Sequence, residues 1–473
     1  MDQAAQHPSF FARTFDGLAK LWRQTSAKGD STEPLKISPY LHEEEQQHLL
    51  ALMHDCLTGR GGEVSARHRA VKLGETYLLL NAEGRQKMLQ LLATRFPLDR
   101  EAINDAVVGL FDSDTPGREL QAAQTLRNCL RPAHLRLLTQ FNALPQGVKF
   151  LVDMRADLIT CACDDPALQA LDDDLKRQLK SWFDVGFLEL RQITWDASAS
   201  TLEKLIHYEA VHRVSGWDDL KNRLAEDRRC FAFFHPQMPD EPLIFVWVAL
   251  LERIADNVQA ILDPERPTVD PETANTAIFY SISSTQAGLA GVNLGDFLIK
   301  RVVEHLKPEL PALNTFSTLS PIPGFRRWAQ SYLRSAEAQA ELDAAPPEMA
   351  LFHAEKPVAE WLTDGDWLAD AAAREAAEAV MVPLCARYLC EQKRKNGASA
   401  LDPVAHFHLS NGARVHQINR YADRSERGIA QSYGLMVNYL YQLDAIEDSH
   451  EDYVENGIIS MSDAVKDLLP QSS

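Results

Sequence analysis

Along the first part of the chain, apolar residues return every three to four positions. LHEEEQQHLLALMHDCL (41–57), GRQKMLQLLATRF (84–96), REAINDAVVGLF (100–111), GRELQAAQTLRNCL (117–130) and PAHLRLLTQFNAL (132–144) all follow this rhythm. It is the spacing of amphipathic helices, about 3.6 residues per turn. Thr115-Pro116, Arg131-Pro132 and Asp165-Pro166 supply start signals between them, since proline suits the first helical turn. Strict alternation is almost absent here, so the pattern predicts a helical bundle over residues 1–180. The histidines of this region (His42, His48, His54, His68, His134) are scattered and read as surface or packing residues.

After Trp182 the texture changes. STLEKLIHYEAVHRV (200–214) and WDDLKNRLA (217–225) still read as helical, but runs with strand composition then follow. CFAFFH (230–235) and PLIFVWVALL (242–251) predict a hairpin, TAIFYSIS (276–283) a third strand and TFSTLS (315–320) a fourth. Between the last two, residues 293–306 carry an apolar stripe of Leu294, Phe297, Leu298, Val302 and Leu306, with Pro308 as terminator. Strand, loop, helix, strand is a crossover unit, so these strands belong to one sheet. The Ala/Glu-rich block 336–380 reads as a helical insertion or linker. HFHLSN (406–411) and RVHQINRYA (414–422) read as a second hairpin around Asn411-Gly412, and GLMVNYLYQLDAIED (434–448) as a closing helix. The fold class is therefore α+β: an all-helical N-terminal domain, 1–180, then a mixed α/β domain, 181–473.

Composition narrows the functions available. Apolar residues make up 45% and charged residues 24% of the 473, ordinary for a globular protein. A net charge of −19 argues against a nucleic-acid or anionic-membrane surface, although a phosphorylated small molecule needs only a few local donors. No apolar stretch approaches a membrane span, and MDQAAQHPSF lacks the basic and apolar regions of a secretion signal. The seven cysteines are scattered without zinc spacing and read as thiols of a reducing compartment, with the cytoplasm as the expected location.

Two stretches carry candidate chemistry. SSTQAGLAGVNLGDFLIKR places Gly288, Gly291 and Gly295 between a strand and a helix start, with Lys300 and Arg301 beyond. Such a joint lets backbone N–H groups reach a phosphate, but a tight turn against a sheet would use the same glycines. The spacing fits neither a P-loop nor the dinucleotide fingerprint. FSTLSPIPGFRRW (316–328) halts a strand with two prolines, which cannot donate to a ladder, and leaves Ser320 extended at the break. Arg326 and Arg327 read equally as cations for a phosphate or carboxylate and as a solvated surface pair.

GVNLGDFLIK resembles the pyrophosphate loop and helix of the GNAT acyltransferase superfamily. AIFYSISSTQAGLAGVNLGDFLIKRVVEHL, FSTLSPIPGF, PVAHFHLSNGA with RGIAQSYGLMVNY, and EAVHRVSGWDDLKNR resemble one family specifically, the malonyl-CoA decarboxylases. The resemblance covers most of the chain, including the helical part. It implies a GNAT-like catalytic domain, a coenzyme A loop on Ala290, Gly291, Val292, Asn293, Leu294, Gly295 and Asp296, a catalytic Ser320 and a catalytic His408. It further implies malonyl-CoA and acetyl-CoA as substrate and product, no separate cofactor or metal, and a homo-oligomer, dimer or tetramer. Ala290 stands where GNAT loops prefer Gln or Arg, and Asn293 where they prefer Gly.

If His406 and His408 lie on a strand, they share one face, and geometry alone does not choose between them. Two other functions remain compatible with the residues: a GNAT-type N-acyltransferase and a non-catalytic CoA-binding scaffold. Some members of the resembled family end in a Ser-Lys-Leu peroxisomal address, which Gln471-Ser472-Ser473 does not match.

Overall fold

A computed structural model of the chain describes residues 22, 37–57, 62–96, 98–292, 294–295, 298–336, 338, 357–368, 370–395 and 397–470. It forms two compact units. One comprises the described residues up to Leu188 together with His235–Glu241 and Gln286–Asn293; the other comprises the rest.

The first unit is helical, as the periodicity predicts. Helices span Glu43–Leu57, Gly62–Leu79, Ala82–Thr94, Arg100–Phe111, Pro116–Cys129, Ala133–Leu138, Gly147–Cys161 and Pro166–Trp182. Their starts follow local chemistry: the side chains of Asn81, Asp99, Thr115 and Asp165 each accept a backbone N–H of the first turn. In Pro166–Trp182 the stripe Leu168, Leu171, Leu175 and Leu179 is buried. Helix Gly147–Cys161 is buried on several sides, with Phe150, Leu151 and Leu158 at its centre.

The second unit is built on an eight-stranded sheet. Its strands are β1 Glu189–Ile193, β2 Arg228–His235, β3 Met238–Leu251, β4 Thr276–Ser284, β5 Thr315–Thr318, β6 Ser320–Pro321, β7 Arg414–Asn419 and β8 Met436–Tyr441, except that His235 of β2 and Met238–Glu241 of β3 are counted with the first unit. Their order is β1-β2-β3-β4-β5-β8-β6, with β7 on β8. β3 and β4 are antiparallel, whereas β4 and β5 are parallel and joined through helix Leu298–Glu309, the crossover read from the sequence. Residues Leu243–Leu250 of β3 are all buried, so this strand is covered on both faces and shows no alternation.

Four local expectations are corrected. HFHLSN is not a strand: residues Pro403–Ser410 are a helix, because Asp402 caps its first turn and Pro403 occupies the first helical position. The turn at Asn411-Gly412 thus joins a helix to β7 rather than two strands. GLMVNYLYQLDAIED is not one helix. Met436–Tyr441 form β8, whose Val, Tyr and Leu content favours a strand, and a helix begins only at Ile446. Pro308 lies inside the last turn of Leu298–Glu309 rather than beyond it. The helix expected over 200–214 ends at Tyr208. Within the block 336–380, residues 337, 339–356 and 369 lie outside the described residues; helices Val358–Asp364 and Ala371–Cys390 follow residue 356.

Candidate active site

β4 and β5 run together only as far as Phe279 opposite Thr318. Leu319 N–H still donates to Phe279 O at 3.1 Å, and then the chain changes partner. Ser320 and Pro321 pair instead with Val437 and Met436 of β8. The prolines explain the switch, since Pro321 has no N–H for a ladder and also keeps Ser320 extended. Ser320 therefore stands where β5 gives way to β6, only 5% exposed.

Its hydroxyl is held from two sides. Ser320 Oγ donates to Thr318 Oγ1 at 2.9 Å and lies 3.1 Å from His408 Nε2. Thr318 is itself fixed, its Oγ1 accepting Tyr439 N–H at 3.0 Å and its carbonyl accepting Asn438 Nδ2–H at 2.6 Å. His408 comes from helix Pro403–Ser410, not from a neighbouring strand as expected. Positions two apart on a helix point about 200° from each other. His406 accordingly turns to Tyr453 Oη at 2.8 Å while His408 turns to Ser320. The corrected helix thus separates two histidines that a strand would have kept on one face.

The far nitrogen of His408 also has a partner: Nδ1 lies 2.8 Å from Tyr441 Oη. With the Ser320 proton directed at Thr318, the consistent tautomer carries its proton on Nε2, donates to Ser320 Oγ and accepts from Tyr441 O–H at Nδ1. Tyr439 stacks on the imidazole, with ring centroids 4.6 Å apart. Burial pushes the His408 pKa down to about 3 and the Tyr441 pKa well above its ordinary value. The resting row Ser320–His408–Tyr441 is therefore neutral. Tyr441 also borders a cavity of about 200 Å³ lined by Ile299, Lys300, Asn411, His450 and Glu451.

Asp402 fastens the elements that carry this row. Its Oδ1 accepts N–H bonds from Val404 and Ala405, both at 2.9 Å, and its Oδ2 accepts Tyr388 O–H at 3.3 Å. The backbone of Gly324, in the turn after Ser320, also hydrogen-bonds to it. Burial raises the Asp402 pKa, against the lowering effect of these bonds. One carboxylate thus holds both the serine turn and the N-terminus of the histidine helix.

Of the expected coenzyme A loop, Ala290, Gly291 and Val292 are described with the first unit and Leu294 and Gly295 with the second; Asn293 and Asp296 lie outside the described residues. Gly295 lies against the helix of His408. A methyl group at this position would come 2.2 Å from Phe407 Cε2, so only glycine fits without displacing the ring.

Arg326 is committed elsewhere: it donates to the carbonyls of Ile429 and Thr363 and covers the Tyr433 ring. Arg327 is exposed. Lys300 faces Glu447 at 3.3 Å on the surface. Among the described residues no group of three His, Cys, Asp or Glu side chains is placed to hold a metal ion, and no helix is long and apolar enough to cross a membrane. All seven cysteines are free.

Sequence reading missed Tyr441, Thr318 and Asp402. Met436–Tyr441 carries a strand signal in its Val and Tyr content, and Asp402-Pro403 is a helix-start signal as clear as those recognised earlier. Thr318 has no local signal, because its role depends on a partner two residues away across a break in pairing.

Comparison with known proteins agrees along nearly the whole chain. The model described as "Malonyl-CoA decarboxylase C-terminal domain" matches residues 186–473, and "Malonyl-CoA decarboxylase N-terminal domain" matches 96–183. The mitochondrial malonyl-CoA decarboxylase of Mus musculus is 38% identical over 413 residues, covering 83% of each chain. That of Anser anser anser is 35% identical over 469 residues, covering 95% of this chain and 92% of its own. The crystal structure of malonyl-CoA decarboxylase from Agrobacterium vitis superposes with a TM-score of 0.80 at 39% identity, over 90% of this chain and 100% of that one. The Rhodopseudomonas palustris structure gives 0.80 and 39%, over 89% and 99%. With one family matched across both its domains and relatives similar in sequence and structure over most of their length, this chain belongs to the malonyl-CoA decarboxylase family.

Proposed function

We propose that the protein converts malonyl-CoA to acetyl-CoA and CO2, with Ser320 and His408 as its catalytic pair. The observation that carries this reading is the 3.1 Å approach of Ser320 Oγ to His408 Nε2, two groups 88 positions apart in the chain.

Malonyl-CoA is its own electron sink. The C–C bond to the carboxylate breaks, CO2 leaves, and the electron pair passes to C2 and the thioester oxygen as an enolate. A proton delivered to C2 gives acetyl-CoA. The thioester does the work for which other decarboxylations use a cofactor, so the reaction calls on none. The site must hold the acyl group out of water and place a proton donor at C2. Ser320 and His408 are both nearly buried, and Ser320 O–H, backed by His408 Nε2–H, is the donor in this reading.

The proton comes ultimately from solvent. Burial resists protonation of His408 in the empty site, but the malonyl carboxylate brings a negative charge that offsets this penalty. Proton uptake then accompanies substrate binding. Tyr441, whose ionisation burial opposes, orients the imidazole rather than serving as a net acid. The parallel pair β4/β5, with β4 followed in the chain by a glycine loop, supports a GNAT-like mode of coenzyme A binding.

The helical hairpin Arg100–Phe111 and Pro116–Cys129 supports self-association. It buries only Ala106, while Phe111 is 84% and Leu120 73% exposed. Light scattering of the purified protein measures the oligomer directly.

Incubation with malonyl-CoA alone tests the activity. Acetyl-CoA and CO2 in equal amounts, without an added acceptor, are expected. A requirement for an amine acceptor, or no turnover, would exclude the decarboxylase reading.

A further inference from the structure

We infer that Lys176, on helix Pro166–Trp182 of the helical unit, is a cation for the coenzyme A pyrophosphate, acting together with the backbone N–H of Gly291. The inference deepens the coenzyme A reading above and rests on it.

The placement begins with Arg155, only 2% exposed on helix Gly147–Cys161. Its Nη1 donates to Gly288 O at 2.7 Å and to Ala290 O at 2.9 Å, while its Nε and Nη2 bond Asp172 at 2.8 and 3.3 Å. The loop also lies directly on the helix backbone: a methyl group on Gly288 would come within 1.7 Å of Val152 O. Two of the loop's carbonyls are thus tied down by a buried guanidinium.

That tie orients the next amide. In a trans peptide the C=O and the following N–H point in opposite directions. With Ala290 C=O turned in to Arg155, the Gly291 N–H turns outward, and it has no backbone acceptor among the described residues. Gly291 is exposed and sits at φ 74°, in the left-handed region that glycine enters without strain.

Over this glycine lies Lys176. A methyl group on Gly291 would stand 2.7 Å from Lys176 Nζ and 2.8 Å from its Cε. Lys176 follows Asp172 by one helical turn, but Asp172 is taken by Arg155, and Lys176 has no carboxylate partner among the described residues. An ammonium and an outward N–H therefore meet at one exposed point of a glycine loop, a pairing suited to a phosphate oxygen. The absence of a side chain on Gly291 leaves room for that approach.

The test compares two substrates in the full-length enzyme: malonyl-CoA and S-malonyl-pantetheine, which lacks the phosphates and the nucleotide. Lys176→Met is expected to raise KM for malonyl-CoA about tenfold while changing kcat less than about threefold. Its KM for S-malonyl-pantetheine should match that of wild type, and Lys176→Arg should restore most of the affinity for malonyl-CoA. Unchanged KM for malonyl-CoA, or equal losses on both substrates, would overturn the assignment. If 3′-dephospho-malonyl-CoA abolished the difference between the variants, the pyrophosphate would be the wrong group. A wild type that neither binds nor turns over malonyl-CoA would sink the underlying reading as well.

Discussion

Tyr441 Oη stands 2.8 Å from His408 Nδ1, on the side of the ring opposite Ser320. The phenol donates to Nδ1 and so keeps the imidazole proton on Nε2, facing the serine. Tyr441→Phe retains the ring but loses that donor. We expect kcat to fall about tenfold, with KM changed much less, because the effect lies on tautomer and orientation rather than on coenzyme A contacts. Steady-state kinetics on purified protein decide it; an unchanged kcat would remove Tyr441 from the row.

Ser320→Ala and His408→Asn each remove one end of the 3.1 Å contact between the two groups. Turnover should fall by about 10²–10⁴, the usual contribution of a positioned proton donor. Coenzyme A binding, followed by titration calorimetry, should persist in both. The double variant should be little worse than either single one, since the pair acts as a unit. Independent losses that multiply would point to separate roles.

The His408 environment also predicts an acid sensitivity. Its folded pKa is lowered to about 3 by burial, so the native state keeps it neutral while the unfolded chain protonates it below about 6.5. Between those values the unfolded state holds the extra proton. His408's contribution is therefore fully favourable above about pH 6.5 and diminishes as pH falls toward about 3. Relative to pH 7.5, its share of the loss at pH 5.5 is about 1.4 kcal/mol. His408→Gln cannot titrate. Urea unfolding at the two pH values should show wild type losing more stability than this variant, and equal losses would contradict a neutral buried imidazole.

Asp402 is buried with both carboxylate oxygens engaged. Asp402→Ala leaves first-turn N–H groups and the Tyr388 hydroxyl without an acceptor, which should reduce stability by about 2–3 kcal/mol. Tyr388→Phe removes only one of these bonds and should cost about 1 kcal/mol. Denaturation midpoints measure both, and the larger loss should accompany the larger drop in kcat.

Arg155→Met would leave Asp172 and the carbonyls of Gly288 and Ala290 without their guanidinium partner. A loss of about 3 kcal/mol is expected, together with a higher KM for malonyl-CoA. Gly288→Ala should act in the same direction, because its added methyl meets Val152 O. A Gly288→Ala protein with wild-type KM and stability would show that the loop does not need this contact.

Much of the architecture was legible because it depends on local rules. Helix Pro166–Trp182 could be read from its Asp-Pro start and leucine stripe, and the β4–helix–β5 crossover from order alone. The errors fell where short segments were ambiguous. HFHLSN mixes apolar and polar residues over only six positions, too few to separate a strand from two helical turns, and the Asp402 cap decides the outcome. MVNYLY is short and mostly apolar because β8 is buried within the sheet, and such a run looks alike in strand and helix.

The candidate site divides along the same line. By themselves, the residues determined that a strand must stop at Ser320-Pro321, that glycines occupy the joint before Leu298, and that the chain carries helical and mixed parts. Those outcomes follow from proline's missing N–H, from glycine's missing Cβ and from hydrophobic period, all properties of neighbours in sequence. Only the tertiary structure decided that His408 rather than His406 meets Ser320, that Tyr441 lies behind it, and that Arg155 and Lys176 meet the glycine loop. These depend on contacts between segments up to 135 positions apart, whose directions are fixed by helix phase and sheet register. No local pattern in the chain records them.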